Sequence, residues 1–229
     1  MSASAIDFET RIGDRIHALR AARGLTLKAL AGRAAVSRAM LSRIERGESS
    51  PTAHLLNKIC NGLGITLAAL FAAAEAPAGT VTETLAGTAA EASAGTATEA
   101  PAGTAKEAPA GPPAAVAITR RAGQPLWRDP ASHYLRRQVA PPGTGSPVEI
   151  VEVEFPGHGE VAFDAQDLPG TDQHIWVLDG RLELALGDEE FQLDQGDCLR
   201  MRFGAPIRFR NPMARPIRYA VILGHGGPP

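Results

Sequence analysis

A chain of 229 residues, 44% of them hydrophobic and 21% charged, is long enough for two modest domains, and no stretch approaches the roughly 20 apolar residues of a membrane-spanning helix. The formal net charge of −2 hides an uneven spread: residues 1–73 carry ten Lys/Arg against five Asp/Glu, 74–115 one against five, and 116–229 twelve against fifteen. A basic head on an acidic body assigns any polyanionic partner to the head. Cys60 and Cys198 fall in different parts of the chain, which excludes a disulfide framework and fits a reducing cytoplasm. The N-terminus carries no apolar run before a cleavage site, so no signal peptide is expected.

The first 73 residues read as helices. Ile12, Ile16 and Leu19 recur at helical spacing, and Gly24 stands where a C-cap glycine ends such a run. Thr26 is placed to cap a second helix carrying Leu27, Leu30 and Ala31. After a short break at Ala34-Ala35-Val36, Ser37 is placed to cap a third, carrying Met40, Leu41 and Ile44 and closed by Gly47. Pro51 sits where proline starts a helix well, and Leu55, Ile59 and Leu63 mark the apolar face of a fourth. Leu67, Leu70 and Phe71 belong to a short fifth.

Residues 74–115 are low-complexity. An eight-residue unit recurs at Ala78-Gly79-Thr80, Ala86-Gly87-Thr88, Ala94-Gly95-Thr96 and Ala102-Gly103-Thr104, with Glu83, Glu91, Glu99 and Glu107 at its sixth position. Such a unit has almost no large apolar residue to offset the entropy of ordering, so a disordered tether with a typical reach of ~35 Å is expected.

The remainder is β-rich. Val148, Ile150, Val151, Val153 and Phe155 form one run, and Ile175 to Leu178 another. Asp179-Gly180 is a hairpin signal, followed by alternating Leu182, Leu184 and Leu186 and a further turn at Gly187-Asp188. Leu199, Met201 and Phe203 alternate, and Ile217, Tyr219, Val221 and Leu223 close the chain's last strand. Many short strands with frequent glycine turns predict a β-sandwich or barrel.

Five short helices with a tight break before the third fit a helix-turn-helix domain. Ile12–Phe71 resembles the Xre-type, phage-repressor-like DNA-binding family through Leu19-Arg20, Arg23-Gly24-Leu25-Thr26-Leu27, Leu30-Ala31, Val36-Ser37, Leu41-Ser42-Arg43-Ile44-Glu45-Arg46-Gly47, Ser50-Pro51-Thr52 and Leu63-Gly64. Ala35 departs from the family's glycine in the turn, and alanine takes a left-handed conformation only at a cost. The resemblance implies that the third helix, Ser37–Glu45, enters the major groove, with Arg38, Ala39 and Arg43 at base-reading positions. It assigns Thr26, Lys28, Ser37 and Arg46 to phosphates, contacts that fix register without reading sequence. Met40, Leu41 and Ile44 are expected in the core, Glu45 beside a head arginine, and Arg20 and Arg33 in surface or intradomain ion pairs.

The tail resembles the cupin family, a jelly-roll β-barrel, through Trp176-Val177-Leu178-Asp179-Gly180, Gly196-Asp197 and Phe209-Arg210-Asn211. Gly196, Gly204 and Asn211 match the second cupin motif, whereas Arg202 and Ile207 stand where that motif has proline and histidine. In the first motif, Gln173 replaces the glutamate, and Gln166, Asp167, Leu168 and Pro169 cover the positions of two histidines. The departures imply no metal of the usual cupin kind, no cofactor and no catalytic residue. An effector pocket is expected at Gln173, His174, Ile207 and Cys198, with Cys198 read as a buried, inert thiol. The segment Trp127–Arg137 has an aromatic and arginine content that suits an anionic ligand, or else forms an edge strand and dimer rim.

The expected architecture is therefore a five-helix head over 1–73, a disordered linker over 74–115 and an all-β cupin barrel over 116–229. The expected function is that of a cytoplasmic, nucleoid-associated transcriptional regulator, not an enzyme, that binds a double-stranded DNA operator as a homodimer and answers to a small-molecule effector. Two rival readings are a cupin-type isomerase or oxygenase fused to a DNA-binding head, and a DNA-binding scaffold with a ligand-free barrel. A flexible linker transmits no rigid rotation, so the effector is expected to act on tail dimerisation or on tail–head docking.

Overall fold

The computed structural model describes residues 3–73 and 117–225, and the predicted linker lies outside the described residues. Five helices form the head: α1 (Ala3–Ala22), α2 (Leu27–Arg33), α3 (Arg38–Glu45), α4 (Ala53–Leu63) and α5 (Leu67–Ala73). The Thr26 hydroxyl accepts the Ala29 N–H at 3.1 Å and the Ser37 hydroxyl the Met40 N–H at 3.1 Å, so both residues start their helices as N-caps. Pro51 is not the first helical residue, because Thr52 takes the cap of α4 and accepts the Leu55 N–H at 3.2 Å. Ala35 sits at φ +50° between α2 and α3, the left-handed geometry that the family's glycine adopts without strain. Ile12, Ile16, Leu30, Leu41, Ile44, Leu56 and Ile59 are fully buried and form the head core.

The tail folds into two antiparallel sheets. Its strands are β1 (Leu126–Arg128), β2 (Leu135–Gln138), β3 (Val148–Phe155), β4 (Glu160–Phe163), β5 (Thr171–Asp179), β6 (Arg181–Leu186), β7 (Glu189–Asp194), β8 (Cys198–Arg202), β9 (Ile207–Arg210) and β10 (Ile217–His225). One sheet has the order β1-β2-β3-β10-β5-β8 and the other β4-β9-β6-β7. The Asp179-Gly180 turn does not form a hairpin. It is a corner: β5 pairs with β10 and β8 in one sheet, while β6 pairs with β7 and β9 in the other. Gly180 takes φ +90° there, and a Cβ would lie 2.4 Å from Ile217 Cγ2, so the crossing needs glycine. The two-residue turn Gly187-Asp188 makes the hairpin, joining Leu186 to Glu189. Fully buried Asn211 ties the end of the barrel: its amide donates to the carbonyls of Phe155, Pro156 and Arg215 and its oxygen accepts the Met213 N–H.

Head and barrel touch directly, through α4 and α5. The buried Asp129 carboxylate, on the turn after β1, accepts the Ala53 N–H at 2.7 Å and the Ser132 N–H at 2.7 Å. It therefore satisfies an orphan donor of the first turn of α4, at the positive end of that helix. Farther along α4, Asn61 donates to the Ala165 carbonyl at 3.2 Å, and Lys58 lies 3.7 Å from Asp164. At the other edge, Phe71 of α5 packs on Trp127, ring centroids 5.2 Å apart, and the Arg136 guanidinium lies 5.3 Å from the Phe71 centroid. Removing the carboxylate strands the buried Ala53 N–H on the head side and the half-buried Ser132 N–H on the barrel side. Asp129→Ala is expected to lower the urea-unfolding free energy of the full chain by about 2 kcal/mol and to speed proteolysis between head and barrel.

Candidate functional site

The third helix is braced from behind. Arg20 of α1 makes a bidentate pair with Glu45 at the end of α3, Nε to Oε1 at 2.7 Å and Nη2 to Oε2 at 2.8 Å, and its Nη1 donates to the Leu25 carbonyl at 3.0 Å. One guanidinium thus fixes the end of α1, the approach to α2 and the C-terminus of α3. His17 Nδ1 adds a contact to Glu45 Oε2 at 3.1 Å. Gly13 lets α1 cross α3 closely, since a Cβ there would lie 2.3 Å from the Ile44 carbonyl oxygen. Leu41 and Ile44 are buried and Met40 half-buried, which leaves the opposite face of α3 to solvent.

That outer face carries the residues assigned to DNA. Arg38, Ala39 and Arg43 are exposed on α3, and Thr26, Lys28, Ser37 and Arg46 are exposed around it. Arg38, Ser42 and Arg46 stand four residues apart along one side of the helix, and Ala39 and Arg43 beside them. Arg38 and Lys28 have no hydrogen-bond or ion-pair partner among the described residues. Arg43 lies 3.9 Å from the Met40 sulfur. Arg46 is engaged with Glu48, Nε to Oε1 at 2.7 Å, and with the Ser42 hydroxyl, so a phosphate would have to displace Glu48. Thr26 and Ser37 use their hydroxyl oxygens as caps, at the N-terminal ends of α2 and α3 where backbone N–H groups also point outward.

A second site lies inside the barrel. A cavity of about 80 Å³ is walled by barrel residues and closed by Asn57, Thr66, Leu67 and Ala68 of the head. Gln173 of β5 and Ile207 of β9 line it, as does Gln166. The other two expected pocket residues do not. Side chains alternate along a strand, so His174 faces away from Gln173, into an outer groove with Arg202 and Ile222. Cys198 is exposed on β8, paired with exposed Trp176, and is not a buried thiol; Leu199 and Met201 take the inner side. The positions that the sequence motifs align with metal ligands hold, at this cavity, the neutral amides Gln166 and Gln173 and the isoleucine Ile207, a set that does not fit a transition metal. Among the described residues, no group of three or more His, Cys, Asp or Glu stands close enough to hold one.

Comparison with known proteins agrees with this architecture. Residues 11–74 match the family model described as a helix-turn-helix domain, so the head is a helix-turn-helix domain. The fold is that of a helix-turn-helix transcriptional regulator from Vibrio cholerae, with TM-score 0.66 and 22% identity over 97% of this chain and 99% of that one. Looser matches include the cupin domain of an Xre-family regulator from Enterobacter cloacae, with TM-score 0.38 and 16% identity over 41% of this chain and 98% of that one. Another is hydroxypropylphosphonic acid epoxidase from S. wedmorenis, with TM-score 0.40 and 14% identity over 94% and 97%. A search of curated proteins gives no match. The chain thus joins a helix-turn-helix head to a barrel of two antiparallel sheets.

Sequence reasoning missed the residues at the seam. Asp129, Tyr134 and Arg136 sit in the arginine- and aromatic-rich segment read as a ligand or rim element, and Asn57 in a helix read only for its apolar face. The signal was the alternation Tyr134, Arg136, Gln138, which puts Arg136 and Gln138 on the buried face of β2, with buried Tyr134 just before the strand.

The Arg20–Glu45 brace has a pH signature. Burial raises the Glu45 carboxyl, but hydrogen bonds from Arg20 and His17 outweigh it and hold the group below the ordinary carboxylate range. A depressed folded-state value contributes stability that is present above the unfolded value, near 4.3, and disappears as pH falls through the folded one. Glu45→Gln is therefore expected to cost about 2 kcal/mol at neutral pH, with the gap to wild type narrowing in urea titrations taken below about pH 4.

Proposed function

We propose that the protein is a sequence-specific, DNA-binding transcriptional regulator, cytoplasmic and homodimeric, whose cupin barrel holds a small-molecule effector and performs no catalysis. The observation that carries this reading is the exposed face Arg38, Ala39, Arg43 on a helix braced from behind by Arg20–Glu45. Arginine forks on such a face match the O6 and N7 acceptors of guanine, and Ala39 matches a thymine methyl. The barrel meets the head through α4 and α5, so docking and groove entry use different surfaces.

Dimerisation follows from the number of contacts. One short helix reaches few bases, and useful specificity comes from two half-sites about one helical turn apart. The outer face of the six-stranded sheet offers a surface for pairing, since Trp176 is 46% exposed there beside Ala220 and Cys198. An enzymatic barrel is the weaker reading, because the ligand positions at the cavity are Gln166, Gln173 and Ile207.

Arg43→Ala and Arg38→Ala are each expected to cost ~1–3 kcal/mol on a duplex enriched by in vitro selection and much less on random duplex, measured by fluorescence anisotropy at fixed salt. Equal losses on both duplexes would mean phosphate contact alone. Trp176→Glu is expected to shift the protein to monomer in sedimentation and to weaken binding to two-half-site duplexes more than to a single half-site.

A further inference from the structure

The buried polar groups of the cavity are mismatched to the protein around them. Arg136 is 8% exposed, yet among the described residues its guanidinium donates no hydrogen bond and forms no ion pair, and its Nε is buried without a partner. Its one specific contact is the face of Phe71. Two further donors are stranded in the same way: Asn57 Nδ2 on α4 of the head, and Gln166 Nε2 on the barrel. Both residues are at least nine-tenths buried, and all three line the same cavity. A guanidinium so largely withdrawn from water with no anion beside it is costly to hold, so the cavity calls for an occupant.

The nearby acids are committed elsewhere. Asp164, at the rim, lies beside Lys58, and Glu149 is engaged by Thr66 at 3.5 Å and His225 at 3.4 Å. Glu149 acts on Arg136 only at a distance. Tyr134 and Tyr219 also line the cavity, and burial pushes both phenols above their ordinary value, so they stay neutral donors. Apart from Gln173 and Thr66, the remaining walls are apolar, with Val153, Val161, Met201 and Phe209 among them. Unpartnered donors on one cavity, no free acid and a largely apolar remainder define the occupant's chemistry.

We propose, resting on the effector reading above, that this cavity binds a small organic carboxylate, its acid group held by Arg136 and by the side-chain amides of Gln166 and, from the head, Asn57. The ligand is compact, since about 80 Å³ holds only a few waters' worth of matter. Because Asn57 belongs to α4 and Phe71 to α5, the carboxylate bridges head and barrel and favours the docked state over any released one. Coupling therefore runs through the seam itself.

The test uses the full chain, scanning fluorimetry and calorimetry. The probes are acetate, butyrate, hexanoate and benzoate, each against the matching alcohol, with inorganic phosphate as a further arm. At least one carboxylate is expected to raise the Tm of the wild type saturably, as mass action requires, while its alcohol does not. Arg136→Met is expected to fold with an unliganded Tm at or above that of wild type and to bind that carboxylate roughly 30-fold more weakly or worse. Asn57→Ala is expected to weaken it by roughly 5-fold or more. The proposal is overturned if no carboxylate stabilises the wild type, if the alcohols do so equally, if phosphate alone binds, or if Arg136→Met binds as wild type does. Should Arg136→Met not fold, Arg136→Lys decides instead: weakened carboxylate binding supports the assignment, and unchanged binding overturns it. A neutral compound that binds and alters DNA affinity would leave the effector reading standing without this one. Carboxylate binding with no change in DNA affinity would do the reverse.

Discussion

The organisation of this protein turns on one buried carboxylate. Asp129 reaches from the barrel to the first turn of α4 and supplies an acceptor that the helix cannot supply for itself. Around that bond the head is held by a polar edge, Asn61 and Lys58 against the segment after β4, and by an aromatic edge, Phe71 against Trp127. The aromatic edge continues inward as an unbroken series of ring contacts through Tyr134, Phe155 and Tyr219 to Phe209 and Phe163. The chain has eleven aromatic residues, and seven of them lie in this series, which ties the one ring contact across the seam into the barrel core. With α4 and α5 occupied in that way, α3 is left on a different side of the head.

This arrangement changes how a signal can travel. A direct seam needs no tether. The cavity is closed by residues of both units, so anything that fills it contacts both at once. The cost of the unpaired polar groups there is consistent with a site kept for binding, as stability and function often compete for the same buried position. The head's own rigidity is secured separately, by Arg20 and Glu45, which keeps α3 in one geometry while the seam responds.

Much of the head was legible because each signal is local. Capping hydroxyls at Thr26 and Ser37, glycines at helix ends and the spacing of apolar residues act within one or two turns, and Ala35 showed its strain in the residue type alone. The barrel was legible as strands and less so as topology. Asp179-Gly180 has the residues of a hairpin turn, but its glycine serves a corner between sheets, set by packing against Ile217 that no local pattern reveals. The same limit applied to the cavity. Gln173 and Ile207 could be placed from motif register, whereas assigning His174 to the same wall ignored the alternation of side chains along β5. Asp129, Asn57 and Arg136 acquire their roles only across the seam, between residues distant in sequence, and so were invisible as a set.

The most direct test is amide hydrogen exchange on the full chain, free and bound to a duplex obtained by in vitro selection. The account predicts new protection over residues 26–46 on DNA, with the first turn of α4 and the segment around Asp129 slow to exchange in both states. Binding without protection of α3, or no affinity for any duplex in dilute salt, would contradict it.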